Sequence, residues 1–280
     1  MAQVTAAEIN KLRQMTGAGM MDCKKALEEA NGDYEKAQEI IRKKGQLVAA
    51  KRADREATEG VVLAKTNADA SFGALTVVCS ETDFVAKNES FIKFASDIND
   101  VAVASKPADI DALKALKVGN LTVADAVMEK VGVIGEKIDL IIYSKVEAAQ
   151  VVAYIHPGNK LATLVGFNKK LTDVQVGKDV AMQIAAMNPV AVDKASVPEA
   201  IVAKEREIAK EQTALDKKNE GKPANIIEKI AEGKLEKFFK ENTLMSQEFV
   251  KDSKHTVGEY LMSVDKDLKV TTFVRYTLNA

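Results

Sequence analysis

The chain has 280 residues, 40 basic and 41 acidic, for a formal net charge of −1. That length holds roughly two domains with cores of their own, and a 46% hydrophobic share beside 29% charged excludes disorder over most of it. The longest stretch without a formal charge, Val180 to Val192, is too short for the ~20 apolar residues of a membrane span, and the near-zero balance argues against a general nucleic-acid binder. The start, Met1 to Met15, has no apolar run behind a basic one, so no secretory leader is expected, and acidic Glu8 with few arginines is unlike a transit peptide. Cys23 and Cys79 are the only cysteines, with neither CxxC spacing nor a nearby histidine. They are expected to be reduced, largely buried thiols in a cytoplasmic protein, with no zinc site.

The first 55 residues read as a three-helix bundle. Ile9, Leu12, Arg13 and Met15 form a helical stripe that stops at Thr16-Gly17-Ala18-Gly19, since two glycines in three residues are costly inside a helix. Asp22 is expected to open a second helix, Cys23 to Ala30, ended by Asn31-Gly32. Asp33 caps a third, running to about Lys44 with Gly45 behind it. Leu12, Ala26, Leu27, Ala37 and Ile41 would be buried between them. The charged run Lys51 to Glu56 reads as a linker or a solvated helix end.

From residue 60 the period changes. Val61-Val62-Leu63-Ala64 and Ala74 to Val78 flank the turn cluster Asn67 to Ser71, which predicts a β-hairpin, and Phe91, Ala95, Ile98 and Ala102 predict a helix after it. Thr122 to Val131 reads as a helix and Ile138 to Tyr143 as a strand. The order then recurs: Val151 to Ile155, the turn His156-Pro157-Gly158-Asn159, Leu161 to Val165, then a helix through Val180, Ile184 and Met187. Hairpin plus helix, twice, points to a duplicated α+β core.

Residues 193–242 carry eleven basic and eleven acidic side chains. Ile201, Ile208 and Leu215 recur every seven residues, and Ile227, Ile230, Leu235 and Phe238 every three to five. Asn219 to Pro223 separates these stripes, so an antiparallel helical hairpin with a thin apolar seam is expected. Thr256 can cap a short helix, Val257 to Met262, and Val270 to Leu278 alternates like a strand with one buried face. The tail would close the second core subdomain.

Sites of known chemistry are missing from the pattern. No G-x-x-x-x-G-K-[ST] occurs, and Gly17-Ala18-Gly19 lacks a third glycine and follows a helix. The two histidines, His156 and His255, have no nucleophile arranged near them, and neither HExxH nor a calcium-loop spacing is present. Nothing points to catalysis. Three features are not absorbed by packing alone. Met20-Met21 beside the glycine turn fits a core or a contact surface. At Thr82-Asp83-Phe84-Val85, Asp83 could simply cap a helix from its S-x-x-D spacing with Ser80, and Phe84 could join the stripe of Phe91. His156 sits at an exposed turn tip.

These motifs carry a resemblance. Thr16 to Leu27 with Asn31-Gly32-Asp33 closely resembles the start of the bacterial elongation factor Ts family, a module similar to ubiquitin-associated domains. The similarity continues at Thr82 to Lys87, Ile134-Gly135-Glu136-Lys137-Ile138, Gly221-Lys222-Pro223, Glu228-Lys229-Ile230, Glu232-Gly233-Lys234 and Thr272 to Tyr276, in order along essentially the whole chain. It implies a bundle at 1–55, core subdomains at 56–145 and at 146–192 with 243–280, and a coiled-coil arm at 193–242 often linked to dimers. It also implies a guanine nucleotide exchange factor for elongation factor Tu, a non-enzyme without cofactor, metal or nucleic-acid contact of its own. Phe84 would be driven into the GTPase near its magnesium, with Asp83 as polar neighbour between Thr82 and Val85. Arg13, Met20 and Met21 would touch the nucleotide domain of the GTPase; Ile134 and His156 would face it from the core, His156 at its third domain. Longer members continue into a further C-terminal helix, which this chain is expected to lack. Glu205 and Gln212 interrupt the arm's seam. The competing expectation is a ubiquitin-associated-type binding scaffold without exchange activity.

Overall fold

In the computed structural model, which describes residues 4–278, Thr5 opens α1 (Ala6–Thr16) through a capping box with Glu8. The expectations about a leader and a terminal helix fall in part on residues 1–3 and 279–280, which lie outside the described residues. Gly17, at φ 69°, takes the left-handed conformation that ends α1. α2 (Met20–Glu29) starts earlier than the sequence predicts. Gly19 stands at its cap and Met20 and Met21 fill its first turn, because the Asp22 carboxylate is taken by the Lys44 ammonium and caps nothing. Asp33 caps α3 (Tyr34–Lys51), accepting from the Glu35 and Lys36 amides. Leu12, Cys23, Ala26, Leu27 and Ala37 close the small core of the three helices.

β1 (Glu59–Thr66) and β2 (Phe72–Ser80) pair in register from Glu59 opposite Ser80 to Thr66 opposite Gly73. A single turn, α4 (Asp83–Ala86), leads into α5 (Glu89–Ser105) and α6 (Ile110–Ala115). The short hairpin β3 (Lys117–Val118) and β4 (Leu121–Thr122) precedes α7 (Val123–Ile134), and β5 (Asp139–Glu147) returns to pair antiparallel with β2. The order of this sheet is β1-β2-β5.

β6 (Gln150–Ile155), β7 (Leu161–Phe167) and α8 (Val174–Met187) repeat hairpin then helix. α9 (Glu199–Leu215) and α10 (Ala224–Asn242) follow, then the small ribbon β8 (Glu248–Phe249) with β9 (Asp252–Thr256), and α11 (Val257–Val264) capped by Thr256. β10 (Val270–Thr277) pairs with β7, giving the order β10-β7-β6. In both sheets the central strand is the second of its hairpin, and the late strand joins it from the other side.

Strand alternation sets the layers. Val61, Leu63, Phe72, Ala74 and Val78 face α5 to α7, where Phe91, Ile98 and Leu113 are buried. Val62, Ala64, Leu75, Val77 and Cys79 point the other way, onto Val146, Val151, Ala162 and Leu164. The far side of the second sheet packs Val165 and Phe167 on α8 and α11 through Val180, Ile184 and Leu261. β2 is therefore buried along its whole length, as a strand covered on both faces must be. Cys23 and Cys79 are both free and buried, and burial pushes the Cys79 thiol up to about 11.

Two expectations are corrected by packing. α3 does not end at Lys44; it continues through Gly45 because that glycine is where α3 crosses α7. A Cβ on Gly132 would lie 2.4 Å from the Gly45 Cα, and one on Gly45 3.3 Å from the Gly132 Cα, so this approach requires glycine at 132 and is tight for anything but glycine at 45. The seam of α9 and α10 keeps Ile201, Ile208 and Leu235 at least half-buried, but departs from expectation at Leu215. Ala209 and Thr213 are the buried residues of α9, against Ala231, Leu235 and Phe239 of α10, while Leu215 is 82% exposed. Thr213 can be buried because its hydroxyl donates to the Ala209 carbonyl at 2.6 Å. Small side chains bring the helices together and leave the heptad leucine outside.

Candidate functional site: the turn that presents Phe84

The junction after β2 is built from a small set of hydrogen bonds. Thr82, with an extended backbone, caps α4 by accepting from the Val85 amide at 3.4 Å. Of the two places open to Asp83, the cap goes to Thr82, and the Asp83 carboxylate accepts from the Lys87 ammonium at 2.6 Å. That hydrogen bond holds the Asp83 carboxyl below the usual carboxylate range and raises Lys87. Phe84 is not part of the buried stripe of α5: it is 84% exposed. Its neighbours point inward, with Ala86 buried and Val85 half-buried against the core under α7, where Ile134 also packs.

The turn is fastened from two sides. Thr82 donates both its N–H and its hydroxyl to the Glu136 carboxylate, at 3.1 and 2.8 Å. The Ser80 hydroxyl donates to the Thr82 carbonyl at 3.0 Å. One residue earlier, Glu81 is only 14% exposed; its two oxygens accept from Arg52 Nη1, at 2.8 and 2.9 Å, and one of them also from the Lys137 amide at 2.6 Å. These contacts, the Lys137 amide first, hold the Glu81 carboxyl below its ordinary value. Lys137 in turn donates its ammonium to the Ala53 and Arg55 carbonyls at 2.7 and 2.9 Å. The charged run after α3 is therefore tied to the end of β2 and the start of β5.

The N-terminal candidates meet this region through the end of α7. Val133 packs on the small core of the three helices and approaches the Gly17 turn. Ile134 follows it, Gly135 (φ 80°) ends the helix, and Glu136 and Lys137 make the contacts above. Arg13 sits exposed in the last turn of α1, and Met20 and Met21 are 48% and 64% exposed in the first turn of α2. His156 lies in the β6–β7 turn, its Nδ1 2.9 Å from the Tyr154 hydroxyl. That turn is attached to the same sheet: the Val62 amide donates to the Asn159 carbonyl at 2.7 Å and Lys160 pairs with Glu59, the residue opposite Ser80.

Glu81, Arg52, Glu136 and Lys137 were given no role by the sequence. The partners named above lie 29 to 84 positions away, which no local spacing reveals. The signal was the motif Ile134 to Ile138, visible as a motif but not as a clamp. Among the described residues, no three His, Cys, Asp or Glu side chains gather as a metal site, and no helix is long and apolar enough to cross a membrane. The arrangement offers an aromatic ring beside an ion-paired carboxylate, a means of contact and displacement.

Residues 81–280 match the family model described as Elongation factor TS. The chain is 52% identical over 279 residues to Elongation factor Ts of Porphyromonas gingivalis, covering 99% of both chains. It is equally identical, over the same length, to Elongation factor Ts of Amoebophilus asiaticus. Identity to Elongation factor Ts of Bacteroides thetaiotaomicron is 44% over 330 aligned positions, again with 99% of each chain covered. The relatives thus extend the similarity over the first three helices, which the family match does not reach.

Proposed function

Since the chain belongs to the elongation factor Ts family, we propose that it is a guanine nucleotide exchange factor that promotes GDP release from elongation factor Tu. The observation that carries this reading is Phe84, an aromatic side chain held out in water on a fastened turn. Leaving a phenylalanine in water forgoes about 2–3 kcal/mol of burial, which a partner's pocket recovers. Phe84 enters the GTPase near its magnesium ion and Asp83 accompanies it as the polar neighbour, while Thr82 and Val85 hold the turn. Disturbing the ion's surroundings removes positive charge from the β-phosphate of GDP and weakens its hold.

The rest follows from linkage. A factor that binds the nucleotide-free GTPase more tightly than the GDP form weakens GDP by the same factor. It accelerates exchange because the ternary complex lowers the barrier to release, and GTP then loads. The chain itself performs no covalent step. Met20, Met21 and Arg13 supply a second contact to the nucleotide domain; adaptable methionine side chains in a first helical turn suit such a surface. Ile134 and His156 face the GTPase from the core, His156 on its third domain.

In this reading the first 55 residues are a ubiquitin-associated-like module and the two sheets with their helices are duplicated core subdomains. The parallel strand orders support the duplication. Residues 193–242 are an inserted arm, and exposed Leu215 near its tip gives it apolar surface for a second copy. The setting is the cytoplasm, where translation takes place. Co-purification tests the proposal. The chain should retain elongation factor Tu when nucleotide is absent and release it when GDP is added in excess; a complex indifferent to GDP refutes linkage.

A further inference from the structure

A helix of four residues has too few hydrogen bonds to hold its own shape. Phe84, on such a helix and 84% exposed, is given its direction by the residues that anchor the turn. Thr82 is the anchor, and its polar groups are all engaged. Its carbonyl accepts from the Ser80 hydroxyl at 3.0 Å and from the Ala86 amide at 3.2 Å. Its N–H and hydroxyl go to the two oxygens of one carboxylate, Glu136, from 54 positions further along the chain. Two donors on two oxygens fix both the place and the rotation of the turn, where a single hydrogen bond would leave it free to swivel.

Glu136 is itself well placed to transmit position. It follows Gly135, the left-handed end of α7. The preceding Val133 packs on the three-helix core beside the Gly17 turn, and Gly132 meets Gly45 of α3. From these contacts we infer that Glu136 is a positioning residue for Phe84: it aims the ring and joins its turn to the helix end on which the N-terminal bundle sits. The aromatic contact and the Met20–Met21 contact then reach a partner as one rigid unit, at a fixed separation. The inference rests on the reading of Phe84 as the wedge.

The test is a double-mutant cycle on GDP release from elongation factor Tu, using the full chain at saturating concentration. Glu136→Gln keeps one acceptor and turns an amide N–H₂ toward a donor of Thr82. Release should slow roughly tenfold, the scale of losing one charged hydrogen bond, with little change in the concentration that gives half-saturation. Added to Phe84→Ala, the same change should do nothing more, since a residue acting through the ring has no effect once the ring is gone. Thr82→Val removes the hydroxyl from the other side of the clamp and should also slow release without adding to Glu136→Gln. If Phe84→Ala slows release and neither clamp variant does, the positioning role is wrong. Equal slowing by Glu136→Gln with and without the ring also overturns it, as that residue would act elsewhere. If Phe84→Ala itself leaves release unchanged, the wedge reading fails first and this inference falls with it.

Discussion

At the scale of single residues, exposure and partnership separate function from packing. Phe84 is the most exposed large apolar side chain among the described residues, so truncating it removes little internal contact. Phe84→Ala should leave the unfolding free energy within about 0.5 kcal/mol of the parent. In the complex the same change should cost on the order of 2–4 kcal/mol, as for a desolvated aromatic anchor. Chemical denaturation of the free chain and titration with nucleotide-free elongation factor Tu measure the two sides. Glu129 of α7 gives the opposite case. Burial raises its carboxyl above the ordinary value, and nearby Lys130 and Arg42 offset this only in part. An acid with a raised value in the folded state destabilises it once ionised, and the penalty disappears as pH falls through that raised value. Glu129→Gln should therefore melt higher than the parent at pH 7, with the gap closing toward acid pH. A constant gap across that range would mean the effect is not ionisation. The sequence made Phe84 conspicuous by its place at a junction, yet its spacing from Phe91 also allowed it a place in the buried helical stripe. It marked Glu136 only as a member of the motif Ile134 to Ile138, because a clamp across 54 positions has no period.

Elements were legible where local chemistry decides them and misjudged where tertiary contact does. The hairpins, the Asn67–Ser71 turn and the Thr256 cap all follow from residues within a few positions of one another. Gly45 read as a helix end because glycine costs about 1 kcal/mol inside a helix; close crossing with Gly132 outweighs that cost. The arm's stripe holds at Ile201, Ile208 and Leu235 but departs at exposed Leu215, where the small, buried Ala209, Thr213 and Ala231 make the closest part of the seam. Paired substitutions check this account. Gly132→Ala gains helix propensity but puts a methyl 2.4 Å from the Gly45 Cα. It should lower stability by about 1–3 kcal/mol and speed proteolysis of the 52–58 segment, as α3 is forced off α7. Gly233→Ala in α10 meets nothing within 4 Å. It should stabilise by about 0.5–1 kcal/mol, and a calorimetric scan of both variants distinguishes a crossing glycine from an incidental one.

For the whole molecule, β2 is the axis, covered by helices on one face and by the second sheet on the other. The arm lies outside this plan. Where it leaves and returns, the Leu244 and Met245 amides donate to the Ala191 and Val192 carbonyls, each at 2.9 Å. Replacing 194–241 by a short turn should then leave the two sheets folded and the Phe84 turn intact, with exchange retained. Circular dichroism and release kinetics of the shortened chain check that separation, and loss of exchange would show that the arm takes part. The near balance of 40 basic and 41 acidic residues suits a contact made by shape and one aromatic ring, which needs no strong field. The most direct measurement is the rate of GDP release from elongation factor Tu by stopped flow, with the intact chain and with Phe84→Ala at saturation. The intact chain should accelerate release strongly and the folded variant should lose most of that acceleration; equal acceleration by both would contradict the wedge role of Phe84.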